Sequence, residues 1–263
     1  MPTISNTPLI FSNKVAHKGL MPTIKIIGAV LGFLCLTHTN LSQANDMFAL
    51  EKIGCPIMPT KNITITDKTV SLSQNSDTWL ISRDGSMTLN GKFVNLSENE
   101  QNKAEQFQQT VRDDLPNLLS TTHTLIDTNL EKLDTTIVDT LGKNSQLREK
   151  IKELKPIIFE ELNQVINDKN NEVNLSIANL SAINENIESL SKKHGQEILK
   201  IALSEIAMKQ LLAPKDQRIN LSDLQNTLKE RFASEDKKAR ALLETSCDMF
   251  ANWQTLESGF IKQ

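Results

Sequence analysis

A helical spacing of apolar residues runs through most of the chain and limits what it can fold into. From Ala104 onward, apolar side chains recur every three or four positions, which is the period of one helix face. Aromatic residues make up 4% of the 263 residues and none is a tyrosine, so a core must be built mainly from Leu, Ile, Val and Met. These features favour packed amphipathic helices over a β-sandwich or a β-barrel.

Capping residues give the expected ends of the helices. Ser97-Glu98-Asn99-Glu100 is a capping box and predicts a helix start. Pro116 is expected to kink or interrupt this helix, and Gly142 followed by Ser145 predicts a stop and a fresh start. Later helical patterns run from Leu147 to Val165, from Val173 to Leu211, and, after a second capping box at Ser222, from Leu224 to Leu256. The segments between them predict a turn at 167–171 and a linker near 213–220.

Residues 61–97 show the alternation of β-structure. Asp84-Gly85 and Asn90-Gly91 both predict two-residue hairpin turns of type I′. Such turns would pair Leu80 with Leu89, Ser82 with Met87, Met87 with Val94, and Thr88 with Phe93. With that register both faces of the meander carry apolar side chains, and we expect helices to cover both faces.

The sequence therefore predicts an α+β fold, in which a small antiparallel β-meander packs on a long, mostly antiparallel helical bundle. We expect three regions along the chain. They are a signal peptide at 1–44, the β-meander at 45–97, and a helical region at 98–263 that contains the linker.

The first 44 residues have the features of a secretory signal peptide. They contain no acidic residue, and the apolar run from Ile26 to Leu36 is too short to span a bilayer. Ser42-Gln43-Ala44 supplies the small residues that signal peptidase requires, so we predict cleavage after Ala44. The tetrapeptide that begins the chain recurs at Met21, which is the expected start because the charged region before the apolar run is then short.

The charge balance of the mature chain argues against several classes of partner. Removing the first 44 residues takes away three lysines and no acid, which leaves 26 basic and 32 acidic residues and a net charge of −6. The charges form no basic stripe, which argues against binding to nucleic acid or to an anionic lipid surface. No later stretch is apolar enough to predict a membrane span.

Two cysteines remain after signal cleavage, because Cys35 leaves with the signal peptide. In an oxidising compartment, a disulfide between Cys55 and Cys247 is the economical prediction. It would close a loop of nearly 200 residues, which the chain-entropy model values at roughly 5 kcal/mol. The alternative is a pair of buried thiols.

No residue is assigned to catalysis, to a cofactor or to a metal. His123 and Asp127 lie one helical turn apart, but such a pair lacks the third and fourth ligands of a zinc site. His194 lies in a polar stretch, and the acidic pairs Asp113-Asp114 and Glu160-Glu161 have the character of solvated helix faces. There is no Gly-x-Ser-x-Gly nucleophile motif and no glycine-rich phosphate loop.

Three segments have a distinctive sequence: WLISRDGSMTLNGKFVNLSENEQ at 79–101, VRDDLP at 111–116 and LGKNS at 141–145. Together they resemble YggN-like bacterial envelope proteins, a family with a domain of unknown function. The similarity extends from Cys55 to about Val165, and the placing of Cys55 and Cys247 near opposite ends also fits. The resemblance implies a periplasmic protein of Gram-negative bacteria and brings no activity or catalytic residue with it.

Three functional hypotheses follow. The first is a non-enzymatic periplasmic protein that binds another periplasmic or outer-membrane component through a helical surface, or that has a structural role there. The second is a periplasmic carrier or chaperone for an apolar ligand or client. The third is an envelope hydrolase whose carboxylates come together only in the fold and so leave no local motif.

Overall fold

The computed structural model describes Cys55, residues 57–212, Pro214 and residues 221–261. The expected signal peptide, the start at Met21, most of the linker and the side chains of the capping box at Ser222 lie outside these residues. The described strands are β1 Asn62–Ile65, β2 Thr69–Gln74, β3 Asp77–Ser82, β4 Met87–Leu89, β5 Lys92–Val94, β6 Ile166–Lys169 and β7 Glu172–Leu175. The described helices are α1 Glu98–Leu141, α2 Gln146–Val165, α3 Ile177–Leu212 and α4 Leu221–Glu257.

The seven strands form one antiparallel sheet in the order β5-β4-β3-β2-β1-β7-β6. Strands β1 to β5 follow one another as a meander. The hairpin β6–β7, which comes much later in the chain, extends the sheet because β7 pairs with β1. The predicted α+β fold is confirmed.

The turn between β3 and β4 is not of the predicted type. Gly85 N donates to Ser82 O at 3.0 Å, and Ser82 N donates to Ser86 O at 2.9 Å. Gly85 has a φ of +76°, while Asp84 before it has no positive φ. The loop is therefore a three-residue turn with a glycine bulge, which has one residue more than a type I′ turn.

The extra residue shifts the register of β3 against β4 by one position. Ile81 pairs with Met87, Leu80 pairs with Thr88, and Trp79 pairs with Leu89. The predicted pairs of Leu80 with Leu89 and of Ser82 with Met87 are therefore wrong. The second hairpin has positive φ at both Asn90 and Gly91, and its predicted pairs, Met87 with Val94 and Thr88 with Phe93, are confirmed.

Of the turn predicted at 167–171, only Asn170 and Asn171 form a turn, because residues 167–169 belong to β6. The strands β6 and β7 were not predicted. Asn170 and Asn171 have φ values of 57° and 62°, as a two-residue type I′ turn requires. Val173 was expected to begin a helix and lies instead in β7, opposite Ile65 of β1. Helix α3 begins only at Ile177. Pairing with β1 therefore outweighs the helical spacing at this position.

Helix α1 has 44 residues and begins at the predicted capping box. Ser97 N donates to Glu100 Oε2 at 2.8 Å, and Glu100 N donates to Ser97 Oγ at 3.4 Å. The expected interruption at Pro116 is wrong, because the helix continues through it to Leu141. A proline inside a helix costs about 3 kcal/mol, and burial of Leu115 and Leu119 on either side offsets this cost.

The predicted junction at Gly142 and Ser145 is confirmed. Gly142 ends α1 with a φ of 102°, and its N–H donates to the carbonyl oxygens of Ile137 and Val138. Ser145 caps α2, and its Oγ accepts a hydrogen bond from Arg148 N at 3.4 Å. A short connection of this kind turns the chain back, so that α2 packs against α1.

Helix α1 is the central element of the helical layer. It contacts α4, α2, α3 and strands β2 and β3, and α3 also packs against α2. The largest fully buried apolar side chains come from the sheet and from three helices: Leu72, Ile81, Phe107, Leu115, Ile126, Leu133, Leu147 and Phe250. Among the described helices, none combines the length and the apolarity that a bilayer span requires.

The segment before β1 is linked to α4 near the end of the described chain. Cys55 and Cys247 form a disulfide, with 5.0 Å between their Cα atoms. Close by, Lys61 forms an ion pair with Glu257 of α4, and its ammonium nitrogen lies 5.3 Å from the centre of the Trp79 ring. The segment before β1 is therefore fixed to the last helix.

Candidate binding surface

The two faces of the sheet differ in what covers them. We call the side that packs on the helices the covered face, and there Val70, Leu72 and Ile81 are 0% exposed. We call the opposite side the open face, and there Leu80 is 37% and Phe93 is 87% exposed. Among the residues that the structure describes, helices therefore cover one face and not both as expected, because the register shift leaves the other face with few apolar residues.

An unbroken row of seven side chains crosses the open face from one edge of the sheet to the other. Adjacent members are directly opposite each other in the strand pairing. We call this set the open-face row, and it consists of Phe93, Thr88, Leu80, Ser71, Thr64, Asn174 and Asn167. Strands are spaced by about 4.8 Å, so the row is about 29 Å long.

The row is polar over most of its length and apolar at one end. Thr64 Oγ1 and Asn174 Oδ1 form a hydrogen bond of 2.8 Å, and Ser71, Thr64, Asn174 and Asn167 are all partly exposed. At the other end, the Phe93 ring stands in solvent. Hydroxyl and amide groups thus extend from Asn167 to Ser71. Leu80, Thr88 with its buried hydroxyl group, and the exposed Phe93 ring complete the row.

Charge is distributed unequally between the two faces. The alternation of each strand places Asp77, Lys92 and Asp168 on the side of the covered face. On the open face, the ionisable strand residues are Lys169 and Glu172, which are paired opposite each other beside the hairpin turn and have opposite charges. The open-face row itself carries no ionisable group.

Polar side chains of α1 hold the turns of the meander in place. Gln101 Nε2 donates to Asp84 O at 2.9 Å, and Gln108 Nε2 donates to Arg83 O at 3.1 Å. Arg112 donates to the carbonyl oxygen of Thr66 and to Gln108 Oε1. Burial lowers the pKa of Arg112, and the positive charge of Arg83 lowers it further. These contacts fix the orientation of the sheet on the helices.

A cavity of about 70 Å³ lies next to the ion pair of Lys61 and Glu257, between the segment before β1 and α4. It is lined by apolar side chains such as Ile63, Phe107 and Trp253, and also by polar ones such as Thr60 and Gln254. Cavities that hold small organic ligands measure about 300–1,000 Å³. This space is therefore too small for a ligand of that kind.

The side chains considered as metal or catalytic candidates have structural contacts. The His123 ring packs edge-on against Phe159, with 4.9 Å between the ring centres, and Asp127 Oδ1 lies 2.6 Å from Lys155 Nζ. Within the residues that the structure describes, no group of three or more His, Cys, Asp or Glu side chains could hold a metal ion.

The acidic pairs and His194 are likewise separate from one another. Asp114 Oδ2 accepts a hydrogen bond of 2.8 Å from Trp253 Nε1, and Glu161 Oε2 accepts one of 3.0 Å from Asn186. Their neighbours Asp113 and Glu160 are exposed. His194 lies within α3, which continues through Gly195. These residues do not form a common site.

One carboxylate is buried among the described residues, and sequence reasoning did not single it out. Glu235 of α4 is 2% exposed and forms ion pairs with Lys132 of α1 and with Lys238. Burial raises the pKa of Glu235, but the two ammonium groups outweigh this effect, and the pKa lies below its ordinary value. Glu235 is thus held charged and joins α4 to α1.

Sequence reasoning missed the open face for two separate reasons. A type I′ turn at Asp84-Gly85 would place Leu80 on the same side as Met87, whereas the bulged turn separates them. The far end of the row depends on β7, which was taken for part of a helix. The Asn170-Asn171 pair was the available signal, because two residues that tolerate positive φ between short β-branched runs indicate a hairpin.

Comparison with known proteins places the chain among proteins whose role is not established. Residues 55–260 match a family model described as "Protein of unknown function (DUF2884)". The relatives include "Uncharacterized protein YggN" of Escherichia coli strain K12 and of Escherichia coli O157:H7. Each is 20% identical over 188 residues, which cover 70% of this chain and 79% of the relative. No solved structure matches the chain. Because the family model spans more than half of its length, the chain belongs to the DUF2884 family of proteins of unknown function.

Proposed function

We propose that this protein is a non-enzymatic binding protein of the bacterial periplasm and that it holds its partner on the open face of the sheet. The observation that carries the proposal is the open-face row. It offers a continuous surface across seven strands, while the helices are packed together on the other side. Rigid strands with well-defined register suit recognition of an extended partner, because the contacting groups keep fixed spacings.

Two features support a periplasmic location. The residues up to Ala44 have the charge pattern, the short apolar run and the cleavage site of a signal peptide. The disulfide between Cys55 and Cys247 is a bond that persists in oxidising compartments and is rare in the cytosol. We expect the mature protein to begin at Asn45.

The cavity that described residues form next to Lys61 does not support an enclosed carrier, because it is far smaller than a site for a small organic ligand. A second candidate, a chaperone for apolar clients, is favoured by the exposed side chains near the end of α3, where Met208 is 57% and Leu211 is 82% exposed. The experiment below separates these two surfaces.

The test is site-specific photo-crosslinking in living cells. The photo-reactive residue p-benzoylphenylalanine replaces Phe93 on the open face in one strain and Met208 on α3 in another. Both side chains are exposed and apolar, so each substitution is tolerated and the two are matched. The mass of the purified protein gives the start of the mature chain in the same experiment.

We expect a discrete adduct from position 93, none from position 208, and a mature mass that begins at Asn45. An adduct from position 208 alone would favour the chaperone function. Adducts from neither position, or a protein that retains residues 1–44 in the cytoplasm, would contradict the proposal.

A further inference from the structure

The chemistry of the open-face row restricts the partner that it can bind. Of the 263 residues in the chain, 23% are charged, yet the seven members of the row include no charged side chain. At the hairpin tip of this face, Lys169 and Glu172 balance each other. Nucleic acids and anionic lipids require basic surfaces. The row therefore matches an uncharged partner.

The residue composition of the open-face row also disfavours a protein partner, including a second copy of this chain. The cores of stable interfaces between identical subunits are about 65% apolar. In the open-face row the apolar members are Leu80 and Phe93, and both lie in the half of the sheet that ends at β5. The remaining members are hydroxyl and amide side chains, which are better matched by a partner rich in hydrogen-bonding groups.

An extended glycan has the matching set of groups. Its sugar rings present hydroxyl groups at their edges and C–H groups on their faces, so the edges suit Ser71 and Thr64 while a ring face can stack on Phe93. Asn174 and Asn167 lie directly opposite each other. Asn174 Oδ1 accepts from Thr64 and Asn167 Nδ2 donates to Asn163 O, so Asn174 Nδ2 is the donor and Asn167 Oδ1 the acceptor that they can offer to acetamido groups. The spacing between strands is close to the advance per sugar of an extended β-linked chain.

The twist of the sheet favours binding of a single glycan chain over binding of a flat polysaccharide surface. Neighbouring strands in a sheet are rotated by about 20–25° relative to each other, so a row that crosses seven strands follows a twisted path. A single glycan chain can follow this path by small rotations about its glycosidic bonds. A crystalline polysaccharide surface cannot do so.

We propose that the open face binds an uncharged, extended β-linked glycan that carries acetamido groups, with its chain along the open-face row and one sugar stacked on Phe93. This inference rests on the proposed binding function and specifies its ligand. The row of side chains at strand spacing supplies the register, and the exposed ring marks one end of the bound chain.

The test is titration of the mature protein with chitohexaose, followed by the amide signals in two-dimensional NMR spectra. Maltohexaose, which is α-linked and coils, is the control ligand. Phe93→Ala removes the stacking ring, and Met208→Ala removes an equally apolar exposed side chain elsewhere. Ser71→Lys places a long, charged side chain in the middle of the row, and Ser120→Lys places the same side chain on an exposed site of α1.

We expect chitohexaose to shift signals of β1 to β5 and β7 and maltohexaose to shift few or none. Phe93→Ala should weaken binding by roughly two- to thirteenfold, because an aromatic stacking contact contributes about 0.5–1.5 kcal/mol. Ser71→Lys should abolish binding, while Met208→Ala and Ser120→Lys should leave the affinity unchanged.

Absence of chitohexaose binding at millimolar concentration, or equal affinity in the row variants and their controls, would overturn the glycan inference. If position 93 then still gives a discrete photo-adduct with a protein, the binding function stands and its ligand is of another class. If position 93 gives no adduct either, both proposals fail.

Discussion

The two faces of the sheet are built from the same strands, yet neighbouring residues on each strand have opposite roles. On β3, Ile81 is completely buried, while Leu80 beside it is 37% exposed. On β2, Leu72 lies in the core, while Ser71 belongs to the open-face row. The covered face therefore accounts for stability, and the open face is the surface that we propose for recognition. The two roles can be separated by paired substitutions one residue apart.

The largest effect is expected from the disulfide, which lies on the side of the covered face. Replacing both Cys55 and Cys247 by serine should lower the free energy of unfolding by about 5 kcal/mol, because the bond closes a loop between residues separated by 192 positions. Urea unfolding followed by circular dichroism measures the change. Binding at the open face should persist below the unfolding transition. Equal stability of the variant and the wild type would contradict the structural role.

The next largest loss of stability is expected at β3, where alanine substitutions of two adjacent residues are compared. Ile81→Ala should cost about 3 kcal/mol, because it leaves a cavity in a closely packed core. Leu80→Ala should cost less than about 1 kcal/mol, because this side chain is partly in water. The same urea titration serves for both variants. Similar losses for the two would mean that something covers the open face as well.

A glycine pair tests how the meander is held against α1. Gly85 and Gly91 both have positive φ, but a Cβ atom at Gly85 would lie 2.2 Å from Gln101 O, whereas one at Gly91 would have no neighbour within 4 Å. Gly91→Ala should therefore cost about 1 kcal/mol, from backbone strain alone. Gly85→Ala should cost at least about 2 kcal/mol, because strain and overlap add. Thermal unfolding of the pair measures the difference.

The smallest effect concerns two buried hydroxyl groups. Thr88 Oγ1, in the open-face row, is buried without a hydrogen-bond partner among the described residues. Thr88→Val should thus change stability by less than about 0.5 kcal/mol or increase it. Thr136 Oγ1 donates to Lys132 O at 2.8 Å on α1, and Thr136→Val should cost about 1 kcal/mol. If Thr88→Val proved the more costly change, the hydroxyl group would have a structural partner.

Local signals along the chain were enough for the fold class and for several element ends. The capping box at Ser97, the glycine stop at Gly142 and the turn at Asn90-Gly91 each depend on a few neighbouring residues, and each was predicted correctly. The pairing of Cys55 with Cys247 follows from the small number of cysteines and the expected compartment. Such features do not depend on distant parts of the chain.

The failures share a dependence on tertiary contacts. The bulged turn at Gly85 is fixed by its close approach to Gln101 of α1, which no local pattern indicates. Val173 has the spacing of a helix but pairs with β1, which lies more than a hundred residues earlier. Pro116 is accommodated because its neighbours are buried against the sheet and α4. The open-face row results from the first two of these contacts and could not be predicted without them.

The most direct test of the difference between the two faces is thiol accessibility. Ser71→Cys, on the open face, is compared with Leu72→Cys on the covered face and with Ser120→Cys on an exposed site of α1. Cys55 and Cys247 are bonded to each other. In the proposed mature chain, which lacks Cys35, the introduced cysteine is therefore the free thiol. Its rate of reaction with a maleimide is measured in the purified protein and in intact cells whose outer membrane has been made permeable.

In the purified protein we expect Ser71→Cys to react at a rate close to that of Ser120→Cys, and Leu72→Cys to be protected. In cells, Ser71→Cys should become protected while Ser120→Cys stays reactive, because a partner then occupies the open face. Protection of Ser71→Cys in the purified protein would contradict the structure of the face. Equal reactivity of Ser71→Cys in both settings would contradict its role in binding.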